Sequence, residues 1–151
     1  MNGQIVPITE ENGYYIIQRQ WKKNDTISYQ LPMEIKRVIS SDAIKTNQFR
    51  MALERGPLVY CIEGADNDGK AYNILLPTES KIVELPMNIL QEQIVALSTT
   101  VPSIQIAADG KSLQTIDKKI LAIPYYTWCN RGSNQMQVWI PTSIKDIKLN
   151  N

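Results

Sequence analysis

Four carboxylates and a knot of aromatic rings have the residue types and spacing that chemistry needs. Glu54, Glu63, Asp66 and Asp68 lie close together in the chain. Two carboxyl groups flanking one bond, one of them kept protonated by its surroundings, can cleave a glycoside. Glu54, however, falls on the polar side of an alternating segment. Asp66 and Asp68 stand in the run Asp66-Asn67-Asp68-Gly69, where Asp, Asn and Gly are favoured for turn geometry alone. A structural or solvated role is expected for these acids. The same run hints at calcium, but with Gly69 as the loop glycine, Gly64 stands where the first aspartate belongs, and the pattern fails.

The rings are Tyr125, Tyr126 and Trp128, followed by Asn130, Arg131 and Gly132, with Trp139 a few positions on. Flat rings beside amide and guanidinium groups suit a sugar: the ring covers its C–H face and the polar groups bind its hydroxyls. The competing reading is that these rings pack in a core or brace a loop. Arg19 and Trp21 would share the face of a regular strand and could stack, with a structural role.

The chain has no histidine, which removes Ser-His-Asp and Cys-His catalytic units and the commonest zinc ligand. Cys61 and Cys129 are too few for a disulfide framework and are expected to be separate thiols. No structural metal and no cofactor is expected, since a structural zinc site wants four ligands.

The elements that position these residues read as strands. Apolar and polar residues alternate over Thr26–Leu31, over Phe49, Met51 and Leu53, over Ile104 and Ile106, and over Met136, Val138 and Ile140, as half-buried strands require. Continuous apolar runs at Leu58–Ile62 and Ile120–Ile123 suit strands buried on both sides, placing Leu58 and Tyr60 in the core. Turn signals separate them, among them Asn12-Gly13, Gly56-Pro57 and Asp109-Gly110. Helix is limited to one expected short turn over Pro86–Gln93. The fold class is therefore all-β, an antiparallel β-sandwich of jelly-roll or immunoglobulin-like type with little helix. The 151 residues, 43% hydrophobic, suit one sandwich domain over 1–151. A weak seam near 40–45 reads more simply as a loop between strands.

Sixteen basic and fifteen acidic residues leave no electrostatic footprint for nucleic acid or an anionic membrane. No apolar run nears the length of a membrane span. The segment MNGQIVPITEENG lacks the basic and apolar regions of a signal peptide, and the location of the protein is left open. Asn2-Gly3 is a two-residue hairpin signal, with Gln4-Ile5-Val6 as its return strand. The partner strand is expected to be missing, leaving an open edge that ends either in a disordered arm or in a homodimer.

Three stretches resemble one family. The first runs from Gly13-Tyr14 through Arg19-x-Trp21 and Asn24-Asp25-x-Ile27 to Leu31-Pro32-Met33. The second is Ala52-Leu53-x-Arg55-Gly56-Pro57-Leu58-Val59-Tyr60-Cys61-x-Glu63. The third is Ala122-Ile123-Pro124-Tyr125-Tyr126-x-Trp128-x-Asn130-Arg131-Gly132, with Met136-x-Val138-Trp139-Ile140-Pro141. Together they resemble the later, sandwich part of glycoside hydrolase family 127, the β-L-arabinofuranosidase group, once known as domain of unknown function 1680. The resemblance implies a larger parent enzyme with a helical (α/α)₆ barrel followed by β-sandwich domains. It also implies a catalytic cysteine among zinc-binding Cys and Glu residues, all in the helical domain. No segment here resembles that part. Cys61 matches a cysteine of the second sandwich motif and not the nucleophile, so no catalytic or zinc role carries over to any residue.

The function implied is a non-catalytic accessory sandwich, a scaffold or dimerisation domain, whose partner is the missing helical-barrel domain. The alternative is a carbohydrate-binding module that holds glycan through Tyr125, Tyr126, Trp128, Asn130 and Arg131.

Overall fold

The computed structural model describes residues 1–144, which fall into two compact units, Met1–Pro32 and a second that begins at Met33. Every strand pairing in both is antiparallel, and helix among the described residues is confined to single 3₁₀ turns. The fold is all-β.

The first unit holds one hairpin, β1 (Thr9–Glu11) and β2 (Tyr14–Ile16). Its loop is Asn12-Gly13, at φ +52° and +81°, the pair of positive angles that a type I′ turn needs. Asn2-Gly3 adopts the same geometry, at φ +48° and +76°, and Gln4 N–H donates to the Met1 carbonyl at 2.8 Å. No return strand follows at Gln4-Ile5-Val6. Asn2 is instead fastened to residues 25–26: its N–H reaches the Thr26 carbonyl at 2.9 Å, and its amide binds Asp25 and the Thr26 N–H, each at 2.8 Å. The alternation over Thr26–Leu31 marks no strand. A period of two describes a face, but a strand also needs a ladder partner, and among the described residues only the single backbone bond from Asn2 to Thr26 meets this segment. The Arg19 guanidinium does lie over the Trp21 ring, 5.7 Å from its centroid.

The second unit is a β-sandwich. Its strands are β3 (Ile35–Ile39), β4 (Arg50–Arg55), β5 (Leu58–Glu63), β6 (Val83–Ile89), β7 (Glu92–Ile106), β8 (Leu113–Pro124), β9 (Met136–Gln137) and β10 (Ile140–Pro141). They are ordered β10-β4-β5-β8-β7-β6, with β3 on β4 and β9 on β5. The residues near 40–45 form the link between β3 and β4. Two features curl the sheet. β4 and β5 pair only next to their turn, at Leu53↔Tyr60, Glu54↔Val59 and Arg55↔Leu58. Beyond it they part, and residues 136–141 fill the gap, pairing Met136 with Glu63 and Ile140 with Met51. On the other flank, residues 73–76 tie β7 to β10: Ile104 N–H donates to the Asn73 carbonyl at 2.7 Å, and Leu76 N–H to the Pro141 carbonyl at 2.8 Å.

The pleat then sorts side chains by parity. Met51, Leu53, Tyr60, Ile62, Leu97, Val101, Ile120 and Ala122 point into one core with Ile74, Leu76 and Ile140. Cys61, Ile94, Ala96 and Ile123 point the other way into a second, smaller cluster that includes Trp128, Met136 and Val138. Strands β5, β7 and β8 are thus buried on both faces, which is why β5 and the end of β8 read as continuous apolar runs.

Some local expectations need correcting. Leu58 is only partly buried, at the rim of the core, because it starts β5 next to the turn. Phe49 does not share the face of Met51 and Leu53: it has φ +59° and is 65% exposed, standing just before the strand begins. Pro86–Gln93 is no helical turn but the β6–β7 hairpin, whose two loop residues Leu90 and Gln91 take φ +50° and +71°. Neither is Gly or Asn, so the usual hairpin signal was absent. The segment Met136–Ile140 bends at Val138-Trp139, so Met136 and Val138 pack on the smaller cluster while Ile140 enters the larger.

Candidate functional site

The residues with chemistry meet where β5 ends. After Glu63 the chain makes a 3₁₀ turn over Gly64–Asp66. After Pro124 it makes another over Tyr125–Thr127. It then reverses through Cys129 at φ +68° and Gly132 at φ +89° before β9 returns alongside β5. This loop brings Arg131 and Asn134 down onto Glu63 and Asp66. Arg131 Nη1 donates to Asp66 Oδ1 at 2.6 Å and Nη2 to Asp66 Oδ2 at 2.5 Å. Nη2 also donates to Glu63 Oε2. The other oxygen of Glu63 accepts from the Asn134 amide at 2.9 Å.

Glu63 is fully buried. Burial alone would raise its pKa. The hydrogen bonds from Asn134 and Arg131 outweigh it and hold the carboxyl below the usual glutamate range. Arg131 is driven the other way, its charge held by the hydrogen bonds it donates to Asp66 and then Glu63 against the cost of burial. This is a charge-assisted network in which both terminal nitrogens of the guanidinium are engaged, while the buried Arg131 Nε has no partner.

The backbone around it is equally tight. Gly64 N–H donates to the Gln135 carbonyl at 2.7 Å, and a Cβ at Gly64 would sit 2.9 Å from the Gly69 carbonyl carbon, so only glycine fits. Asn67, in the same turn, acts as a missing strand partner. Its amide donates to the carbonyls of Glu63 and Leu121 at 2.8 and 2.9 Å, and its oxygen accepts from Leu121 N–H at 3.0 Å. Asn67 thereby continues the β5–β8 ladder one residue past its last pair, Ile62↔Ala122.

The four candidate acids are thus separated. Glu63 and Asp66 meet through Arg131. Asp68 is exposed and pairs with Lys118 Nζ at 3.0 Å. Glu54 lies mid-strand between Lys36 and Val59.

The five predicted sugar-binding residues also part company. Tyr125 stacks on Trp128, with centroids 5.7 Å apart and planes 28° apart, and Trp128 packs on the smaller core cluster. Tyr126 is 59% exposed and lines a separate cleft of about 440 Å³ with Arg55, Pro86 and Gln93. Asn130 turns back to the Thr127 carbonyl at 3.2 Å, and the Arg131 guanidinium is engaged by the acids.

Among the described residues no group of three or more Cys, Asp or Glu is arranged to hold a metal ion. Cys61 and Cys129 are separate thiols, one buried and one exposed. Burial pushes Cys61 up to about 12. No helix among the described residues is long and apolar enough to cross a membrane.

Residues 35–141 match the glycoside hydrolase family 127 C-terminal domain. The chain belongs to this family. It is 24% identical over 150 residues to the non-reducing end β-L-arabinofuranosidase of Bifidobacterium longum subsp. longum, covering 92% of this chain and 23% of that protein. Two solved family 127 structures are similar. One is a β-L-arabinofuranosidase from Geobacillus stearothermophilus T6, with 32% identity and a TM-score of 0.67, over 73% of this chain and 18% of that one. The other is a β-arabinofuranosidase with 31% identity and a TM-score of 0.76, over 97% of this chain and 23% of that one. The chain therefore spans about a quarter or less of each of these relatives, and its place in them is the C-terminal domain. The family segments supply Glu63, Arg131 and Trp128, all of them drawn together by the loop over the end of β5. Asn134 carries no signal in the sequence, and Asn67 is marked there only as a turn residue.

Proposed function

We propose that this chain serves a family 127 enzyme as an accessory scaffold, holding the catalytic part in place without supplying catalytic groups. One observation carries the reading: the charged residues of the second and third motifs bind one another. Glu63, Asp66, Arg131 and Asn134 bind one another at the end of β5, so the two carboxylates are tied to one guanidinium and their charge secures a loop. Tyr125 and Trp128 brace the same loop against the smaller core cluster. The parent's substrate, by its relatives' names, is a β-L-arabinofuranoside.

The test is removal of the matched C-terminal quarter from the Bifidobacterium longum relative. A scaffold role gives a shorter half-life at elevated temperature, with KM unchanged for molecules that remain active. A raised KM in an equally stable truncated enzyme would point instead to glycan binding by this domain.

A further inference from the structure

We propose that the cleft just ahead of β4, where Phe49 stands beside Asp42, Asn47, Gln48 and Arg50, is a carbohydrate subsite that holds one neutral sugar unit of a glycan. This ligand-binding role goes beyond the scaffold reading and does not depend on it.

Phe49 has φ +59°, a left-handed conformation that is a true outlier for a bulky side chain. Such strain persists only where the surroundings over-determine it, and it gathers at functional sites. The restraints come from both sides. A 3₁₀ turn over Lys45–Asn47 leads in. The Phe49 carbonyl accepts from the Thr142 N–H at 3.1 Å and from the Thr142 hydroxyl at 3.2 Å. Arg50 then pairs with Pro141 in the ladder, and its Nη1 donates to the Trp139 carbonyl at 3.1 Å. The ring held in this way is not used for packing. It is 65% exposed and joins neither core cluster.

The polar groups around the ring are equally uncommitted. Phe49 lines a cleft of about 350 Å³ with Asp42, Asn47, Gln48, Arg50 and Thr78. Asn47 and Gln48 are half-buried, yet among the described residues neither side-chain amide has a hydrogen-bond partner. Asp42 is exposed and makes no ion pair among them.

A sugar presents a C–H face that takes an aromatic ring and hydroxyls that both donate and accept. Phe49 supplies the ring. Asn47 and Gln48 supply donors and acceptors, Asp42 acceptors and Arg50 donors. The two ionisable groups that line the cleft, Asp42 and Arg50, have opposite charges, so a neutral ligand suits it. Its volume falls at the lower end of ligand sites, about 300–1,000 Å³, as one sugar unit requires. The cleft is separate from the rings near Arg131, whose polar neighbours Asn130 and Arg131 are engaged within their own loop and with the acids.

The chain has a single phenylalanine, so incorporation of 4-fluorophenylalanine places one fluorine in the cleft. The probes are methyl β-L-arabinofuranoside and xylotriose. The fluorine resonance should move saturably with at least one of them, with a dissociation constant on the order of 1 mM. Asp42→Ala removes an exposed side chain and should weaken that binding about fivefold. Phe49→Gly removes the ring and the strain together. Saturation-transfer signals of the probe should then vanish while the melting midpoint holds or rises. A resonance that stays in place at about 20 mM of both probes overturns the proposal. So does a shift that glycerol reproduces at the same concentration, or binding that survives Phe49→Gly. A Phe49→Gly variant that melts markedly lower assigns the ring to the fold and also overturns it. The scaffold reading is decided separately, by the inactivation half-life of the truncated Bifidobacterium longum relative.

Discussion

Arg131→Ala should be among the most damaging surface-loop substitutions in the protein. It strips two acids of their counter-ion at once. Glu63 is fully buried and would keep the Asn134 amide and a backbone N–H of Cys129 but no positive charge. Removing one partner of a buried ion pair costs about 3–5 kcal/mol. The lower end applies here, because the Arg131 side chain is 21% exposed and water can follow the truncated residue in. A loss of about 3 kcal/mol is a large part of typical domain stability and lowers the melting midpoint by roughly 10 °C.

The pH dependence sharpens the test. In the native protein the Glu63 pKa lies below its ordinary value. Its contribution is therefore complete above the ordinary glutamate pKa and is lost as pH falls through the depressed folded value. In the variant the Arg131 hydrogen bond is gone and burial dominates, raising the Glu63 pKa. The penalty then grows as pH rises from about 4 to 7, where an unpaired carboxylate must stay charged in the interior. Urea denaturation of both proteins at about pH 4 and pH 7 reads this directly. A difference below about 1 kcal/mol at pH 7, or one that does not change between the two pH values, would refute the buried network as a source of stability.

Asn67→Ala orphans the Leu121 N–H and carbonyl and should cost about 2–3 kcal/mol in the same denaturation assay, with no change in the far-ultraviolet spectrum. Leu97, 1% exposed, should lose about 3 kcal/mol on change to Ala, whereas Leu58→Ala at the rim should lose only about 1 kcal/mol; equal losses would contradict the assigned strand faces. A thiol reagent should titrate one group, Cys129, in the folded protein and both in denaturant, since Cys61 is buried with its pKa pushed up to about 12. Rapid native reaction of both thiols would show that the smaller core cluster is open.

The strands of the second unit were legible wherever the pleat was buried on both sides, as in Tyr60, Cys61 and Ile62 or Ile120 to Ile123. They were missed where the signal was atypical: Leu90 and Gln91 make a tight turn without Gly or Asn. Thr26–Leu31 misled in the other direction, because alternation alone cannot supply a ladder partner. At the site, the rings and Arg131 were visible as residue types, but their engagement was not. That Arg131 meets Glu63 and Asp66 depends on the reversal at Cys129 and Gly132, sixty-odd residues away in sequence. Asn67 and Asn134 were invisible for a similar reason: a buried amide that completes a ladder or a network looks, in sequence, like any loop asparagine.

The most direct test of the structural role assigned to the Glu63–Arg131–Asp66 network is the hydrolysis of a nitrophenyl β-L-arabinofuranoside by the pure 151-residue chain. The expected result is no release of nitrophenol above the uncatalysed rate, for the chain itself and for its Glu63→Gln and Asp66→Asn variants. Hydrolysis that is present in the chain and abolished by either substitution would contradict it.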